Sequence, residues 1–305
     1  MAISRRKFLE ITAISGAATS IMNPAKTSAQ PQRSATAGFE LLIFATNWGF
    51  NGSWNSFCEK IKNEGYDGAE AWYPTDEKER QEFLAAFEKY QLKFGLLVGG
   101  NDRDPAKHLQ QFSTNLEKAA ALKPVYINCH SGRDHFSFEH NKLFIKRTTE
   151  VSKGTNVPIY HETHRGRILY SAPVARQFME SLQELRLTLD ISHWCNVHES
   201  LLNDQEDAVT MALSRTDHIH ARVGHPEGPQ VNDPRAPEWK NAVDAHFEWW
   251  DRVVEIKRKE SKRLTMLTEF GPADYLPALP YTRQPVANQW EINKYMLDSL
   301  RKRYK

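Results

Sequence analysis

Cysteine is scarce: the chain of 305 residues has three, at positions 58, 129 and 195. A count that small and odd excludes a disulfide scaffold, and a chain this long buries a core without covalent staples. Long apolar runs are also missing, so no segment reaches the roughly 20 residues of a membrane-spanning helix. Net charge is nearly absent, with 40 Lys and Arg against 38 Asp and Glu, a formal +2. That balance lacks the basic excess on which a nucleic-acid binder relies. With 26% charged residues and 15 each of Gly and Pro, disordered, collagenous and low-complexity classes are excluded as well.

The small positive charge gathers at the front. Ser4-Arg5-Arg6-Lys7-Phe8-Leu9 precedes a weakly apolar stretch from Ile11 to Met22, then Thr27-Ser28-Ala29. Paired arginines, a modest apolar helix and a small-x-small step resemble a twin-arginine (Tat) export signal. The expected division is a signal over 1–29, a Ser/Ala/Thr/Pro-rich linker over 30–37 and one domain over 38–305. Cleavage after Ala29 removes four basic residues and one acidic residue, leaving 36 against 37 and a net of −1. The resemblance implies the Tat translocation machinery as a partner and the periplasm as the destination. That route carries proteins already folded and often already loaded, which suits a metalloprotein and removes any need for disulfides. The three cysteines read as lone buried thiols: Cys58 on a helix, Cys129 on a strand facing away from His130, Cys195 at a strand end.

From residue 38, short apolar runs alternate with longer amphipathic ones. Strands are expected at Leu41–Ala45, Gly68–Trp72, Lys93–Val98, Val125–Cys129, Pro158–Thr163, Leu187–Ile191, His218–Val223 and Leu264–Glu269. Helices are expected at Trp54–Glu64, Asp76–Tyr90, Pro105–Leu122, Glu139–Lys153, Pro173–Leu185, Gln205–Ser214, Glu238–Lys259 and Val286–Arg301. Strict alternation implies parallel strands joined by right-handed crossovers. Eight such units match the size of a single-domain (β/α)8 TIM barrel. A doubly wound open sheet is disfavoured, because Ala45-Thr46-Asn47-Trp48-Gly49 after the first strand is not a Gly-rich phosphate turn.

In a barrel of this kind the active site lies at the C-terminal strand ends, and polar residues cluster there. Strand 4 ends Asn128-Cys129-His130, strand 5 His161-Glu162-Thr163-His164-Arg165, and strand 6 Asp190-Ile191-Ser192-His193. Strand 7 carries His218-Ile219-His220-Ala221-Arg222 and strand 8 ends Thr268-Glu269-Phe270-Gly271. Period-two alternation places Tyr160, Glu162 and His164 on one face, and likewise His218, His220 and Arg222. A Glu, an Asp, a His and a Glu from four successive strands are able to surround a divalent ion. Three oxygens and one imidazole suit Mn2+, Mg2+ or Co2+, and Zn2+ less uniquely.

Those motifs, with Tyr66-Asp67-Gly68-Ala69-Glu70 at strand 2, resemble the xylose isomerase-like barrels of the sugar phosphate isomerase/epimerase superfamily. The resemblance covers residue 38 to the end. It implies a metal held by Glu162, Asp190, His220 and Glu269, Mn2+ foremost, with Glu162 and Glu269 on opposite faces of a sugar as the acid/base pair. It also implies His193 as a substrate contact and His220 rather than His218 as the ligand, with His218 then touching substrate or supporting the site. His164-Arg165-Gly166-Arg167 and Gly224-His225-Pro226-Glu227-Gly228-Pro229 depart from the superfamily pattern and point to a specialised subgroup. The larger ligand set of the three-zinc DNA-repair branch is not evident.

The implied chemistry is isomerisation or epimerisation of a free sugar or keto-sugar through an enediolate. Abundant imidazoles, among them His130 and His164, keep a lyase, dehydratase or hydratase of a keto-sugar, keto-inositol or 3-keto-glycoside as the alternative. A non-catalytic periplasmic carbohydrate-binding barrel is the alternative of another class, opposed by the intact Glu/Asp/His/Glu set. Arg165, Arg167 and Arg222 are candidates to clamp an anionic group, with surface pairing expected for Arg167. Glu70 is a candidate to bind substrate or pair with an interior cation. Trp48, Trp72 and Trp194 are candidates to stack on a sugar face or to pack the barrel mouth. Trp249-Trp250 reads as helix packing or a homo-oligomer contact, and His135, His140, His198 and His246 as surface or helix residues without assigned roles.

Overall fold

The computed structural model describes residues 38–305; the export signal and linker expected over 1–37 lie outside the described residues. Eight strands of three to seven residues form: β1 Glu40–Thr46, β2 Gly68–Trp72, β3 Lys93–Gly99, β4 Ile127–His130, β5 Ile159–Glu162, β6 Leu187–Leu189, β7 Thr216–His220 and β8 Arg263–Thr268. They close in chain order into a barrel, every neighbouring pair parallel, β1 with β8 included. Parallel neighbours require crossovers, supplied by α1 Trp54–Asn63, α2 Glu77–Lys89, α3 Pro105–Ala121, α4 Phe138–Thr155, α5 Ala172–Ser181, α6 Ile191–Val197, α7 Glu206–Arg215 and α8 Lys240–Lys259, with α9 Gln289–Tyr304 closing the chain. This is a (β/α)8 TIM barrel in one domain.

The helices begin where the sequence offers caps. Ser53, Asp76, Ser137 and Asn288 accept hydrogen bonds from first-turn amides, as does Asp104 ahead of Pro105. Their apolar faces pack on the outward side chains of the strands to make the main core, Ile43, Ala69, Leu96, Ile127, Ile219 and Met266 among them. Inside the barrel a small apolar plug of Leu42, Phe44, Tyr126 and Leu267, joined by Val125 and Tyr160, fills the space below the polar strand ends. Gly68 lies where β2 passes β3: an added Cβ would run into the Lys93 carbonyl oxygen.

Several expectations change. The sixth strand stops at Leu189, and Asp190 accepts from the Ser192 amide at 3.2 Å to start α6. Cys195, expected at a strand end, is therefore a buried helical residue, and all three cysteines are free. Trp194 on the same helix is fully buried, its indole N–H donating to the Leu169 carbonyl at 2.9 Å, so it packs the core and offers no sugar platform. The seventh strand starts two residues early, at Thr216, and Arg222 lies just past its end. His246, read as a surface or helix residue, is a fully buried helical one: its Nδ1 donates to the Ala242 carbonyl at 2.8 Å and its Nε2 accepts from the Gly224 amide at 3.1 Å. Trp249 and Trp250 are buried against the barrel, which removes them as an oligomer contact. Among the described residues no helix is long and apolar enough to cross a membrane.

Candidate active site

Alternation along the strands turns Glu70, Asn128, Glu162, Asp190, His218, His220 and Glu269 inward at or near the C-terminal ends. His220 is the hub. Its Nδ1 lies 2.9 Å from Glu269 Oε2 and 3.7 Å from Glu162 Oε1, and its Nε2 lies 3.2 Å from Glu70 Oε1. The Asn128 amide nitrogen donates to Glu162 Oε2 at 2.9 Å and sits 3.2 Å from His220 Nε2. His218 lies deeper, its Nδ1 2.7 Å from the Thr265 hydroxyl and its Nε2 3.4 Å from Glu70 Oε2. Glu70 thus stands between the two histidines and orients both.

Asp190 is held from three sides. The Arg222 guanidinium and the Ser192 hydroxyl both contact its carboxylate, and the Thr163 hydroxyl accepts from its amide at 2.9 Å. Arg222 also lies 3.5 Å from Glu269 Oε2 and donates to His193 Nε2 at 3.0 Å. A stack of imidazoles forms one wall: His130 and His164 meet edge to face with centroids 4.2 Å apart, and His164 lies 3.8 Å from His193. Above them a cavity of about 480 Å3 opens to solvent, lined by Trp48, Trp72, Tyr275, Glu70, His130, Glu162, His164, Arg222 and Glu269, with Thr46, Asn47, Ala71 and Leu97. Trp48 and Trp72 remain 38% and 52% exposed, unusual for indoles at strand ends and consistent with platforms facing a ligand.

Burial is the largest influence on each titratable group here. It pushes the Glu162 carboxyl up to about 8, reinforced by Glu269, Asp190 and Glu70 and opposed by His220. Burial also raises Asp190, although Arg222 opposes it. For Glu269 burial acts in the same direction but His220 and Arg222 outweigh it, so its carboxyl is held below the usual range. Glu70 is lowered likewise, because His220 and His218 overcome its desolvation. His220 rises well above an ordinary imidazole, three carboxylates outweighing its burial. Desolvation drives His130, His164 and His193 well below theirs, so these three are neutral.

The residues fit a divalent cation. Glu162, Asp190 and His220 offer ligand atoms all within 4.8 Å of one another, and Glu269 reaches the set through His220. His220 Nδ1 and Glu269 Oε2 are buried and face each other at 2.9 Å with no hydrogen bond to either. Glu70 beside Nε2 favours the tautomer whose Nδ1 lone pair faces the carboxylates, an arrangement common in metal-ligating histidines.

The structure brings the expected residues together unevenly. Glu70, His130, Glu162, His164, Arg222, Glu269 and Trp48 line the cavity. His193 and His218, expected to touch substrate, are fully buried off its wall, one bracing Arg222 and the other Glu70. Arg222, a candidate anion clamp, is occupied by Asp190. Asn128 went unassigned, although it shares a strand face with His130. Tyr275, packed on the Arg222 and Arg165 guanidiniums at 4.8 and 5.1 Å and edge-on to Trp48 at 4.9 Å, lies in an aperiodic loop that gave no signal.

Parallel closure with titratable side chains at the C-terminal mouth defines the class of TIM-barrel proteins whose chemistry is built on strand ends. Within that class the chain belongs to the xylose isomerase-like TIM barrel family, whose model matches residues 58–246. No curated protein sequence matches significantly. Among solved structures, the chain is similar to the apo form of the 3-keto-D-glucoside 4-epimerase YcjR from E. coli, with TM-score 0.58 and 16% identity over 86% of this chain and 100% of that one. It is also similar to the probable 3-DHS dehydratase AsbF from Bacillus anthracis, with TM-score 0.53 and 15% identity over 86% and 98%. A xylose isomerase-like TIM barrel protein from Mycobacterium smegmatis, in complex with magnesium, has TM-score 0.56 and 11% identity over 87% and 98%. At these identities the likeness is one of fold.

Proposed function

We propose that the protein is a divalent-metal-dependent sugar isomerase or epimerase that moves a proton beside the carbonyl of a free sugar or keto-sugar. The observation that carries this reading is the pair Glu162 and Glu269, both lining the cavity and both facing His220 Nδ1, at 3.7 and 2.9 Å. One of the two carboxylates takes the substrate proton and the other returns one. Glu162, Asp190, His220 and Glu269 would hold a divalent ion, Mn2+ by the donor set, which would supply positive charge to offset the developing oxyanion. Arg222 fixes Asp190 and Glu269, Glu70 orients His220, and Trp48, Trp72 and Tyr275 shield the sugar from water.

A second reading, elimination of a leaving group from a keto-sugar, rests on the His130 and His164 imidazoles that line the cavity beside Glu162. The solved relatives are named for an epimerase and a probable dehydratase, so both reaction types are carried by folds like this one. Residues 1–29 are proposed to send the folded protein to the periplasm through the Tat machinery. Cell fractionation of Arg5→Lys/Arg6→Lys, expected to stay in the cytoplasm, tests that.

The test of function is a screen of free and 3-keto sugars with the Mn2+-loaded protein by NMR in D2O. Substrate C–H exchange that Glu162→Gln abolishes is expected. A product lighter by water or an aglycone selects elimination. Sugar binding with no exchange in either form assigns a carbohydrate-binding barrel instead.

A further inference from the structure

Two arginines beside the mouth lack an anion. Arg133 follows β4 and Arg167 follows β5, and their loops pack directly on each other: a Cβ on Gly132 would stand 2.3 Å from Ile168 Cγ1. Asn141, buried on α4, pins the first loop, its Nδ2 donating to the Arg133 carbonyl at 2.7 Å and its Oδ1 accepting from the Arg133 amide at 3.3 Å. A turn through Gly166, at φ 72°, closes the second, the Arg167 amide donating to the His164 carbonyl at 3.1 Å. The surface pairing expected for Arg167 does not form. Among the described residues neither guanidinium makes an ion pair or a hydrogen bond, and Arg167 Nη1 is buried without a partner. The nearby acids are engaged elsewhere: Asp134 Oδ1 accepts from the His135 amide at 2.9 Å, and Glu162 Oε2 from Asn128 at 2.9 Å. Burial and the neighbouring Arg133 hold the Arg167 guanidinium down at about 10, against the pull of Glu162 and Asp134. Ser131, 2% exposed and in the same loop as Arg133, leaves its hydroxyl without a partner too. Arg165 is spent by contrast, its Nη1 donating to Asn196 Oδ1 at 3.0 Å.

Burying a guanidinium N–H without an acceptor is costly, and so is holding two guanidiniums together. An oxyanion answers both costs, accepting from the two forks and cancelling their repulsion. We infer that Arg133 and Arg167, with the Ser131 hydroxyl, form an oxyanion site beside the mouth that takes a carboxylate, phosphate or sulfate group. His130 and His164, at the start of the two loops, line the catalytic cavity, so the site adjoins it. The anion arrives either as a charged group of the substrate, which is then an acidic sugar, or as a free ion. The first source rests on the proposed function and the second does not.

The probe is inorganic sulfate, titrated by calorimetry into the chelator-stripped full chain, with chloride at equal ionic strength as reference. Saturable binding is expected in the wild type, weakened roughly 10- to 100-fold in Arg133→Gln and in Arg167→Gln. Far-UV circular dichroism checks that each variant folds. Arg167→Lys, which keeps the charge and loses the fork, is expected to fall between, and it carries the test where a Gln variant does not fold. Sulfate that binds no better than chloride, or that binds the variants as it binds the wild type, overturns the inference. The exchange screen in D2O then assigns the source. Uronates or sugar phosphates preferred over neutral sugars, with KM raised roughly tenfold or more in Arg167→Gln and kcat little changed, place the anion on the substrate. Neutral sugars exchanged with one KM in both proteins, sulfate still binding, assign a free ion. Exchange without sulfate binding overturns this inference alone, and sulfate binding without exchange of any sugar overturns the isomerase reading alone.

Discussion

At the scale of single residues, burial decides what each carboxylate of the mouth does. Glu162, Asp190 and Glu269 all lose water, yet only Glu269 has both His220 and Arg222 close enough to restore its charge. Glu70 differs again, because its task is to hold two imidazoles, His218 at 3.4 Å and His220 at 3.2 Å. Glu70→Gln keeps the shape and removes the charge that sets the His220 tautomer. It is expected to weaken metal binding about 10- to 100-fold, the usual effect of losing a partner behind a ligating histidine. Titration calorimetry with Mn2+ measures it, and an unchanged affinity would remove Glu70 from that role.

At the scale of elements, the barrel wall is tied to its helices by buried charge as well as by apolar packing. Lys257 on α8 is fully buried, and its Nζ lies 2.6 Å from Asp217 on β7 and 3.2 Å from Glu260. Arg186, just before β6, donates to the same Asp217 at 2.6 Å. Asp217→Asn leaves the Lys257 ammonium short of a partner, which is expected to cost about 3–5 kcal/mol in urea unfolding at neutral pH. Burial works against ionisation of Asp217, but Arg186 and Lys257 prevail and its carboxyl is held below the ordinary 3.8. A depressed native value means the contribution is present above about pH 4 and is lost as pH falls through the folded value. The wild type is therefore expected to lose more stability between pH 5 and pH 2 than Asp217→Asn does, as read from urea midpoints at each pH.

At the scale of the whole molecule, barrel closure brings Glu162, Asp190, His220 and Glu269 together at one mouth as a donor set for a divalent ion. An ion that binds only the folded state stabilises it by mass action, about 2.7 kcal/mol at a hundredfold excess over its Kd. Chelation is accordingly expected to lower the Tm by several degrees while the far-UV circular dichroism stays the same, and Mn2+ is expected to restore it. A Tm indifferent to chelator and Mn2+ would remove the metal from the mouth.

Much of this was legible along the chain. The eight strands follow from apolar runs whose alternation is local, so Glu162 could be set with Tyr160 and His164 before any contact was known. The Glu, Asp, His and Glu of four successive strands, Glu162, Asp190, His220 and Glu269, were readable for the same reason. What escaped depends on neighbours distant in sequence. Trp194 looked like a platform until α6 began immediately after Leu189 and turned it into the core. Arg222 looked free to clamp an anion until barrel closure set it against Asp190, 32 residues earlier. His193 and His218 share the polarity of their neighbours, and nothing local says that they point beneath the cavity wall. By itself the sequence determined the barrel and the ring of side chains at its mouth, because strand alternation is a property of adjacent residues. Only the tertiary structure decided which of them meet and which remain neutral, because closing eight strands sets the distances between charges, and those distances and the loss of water set their protonation.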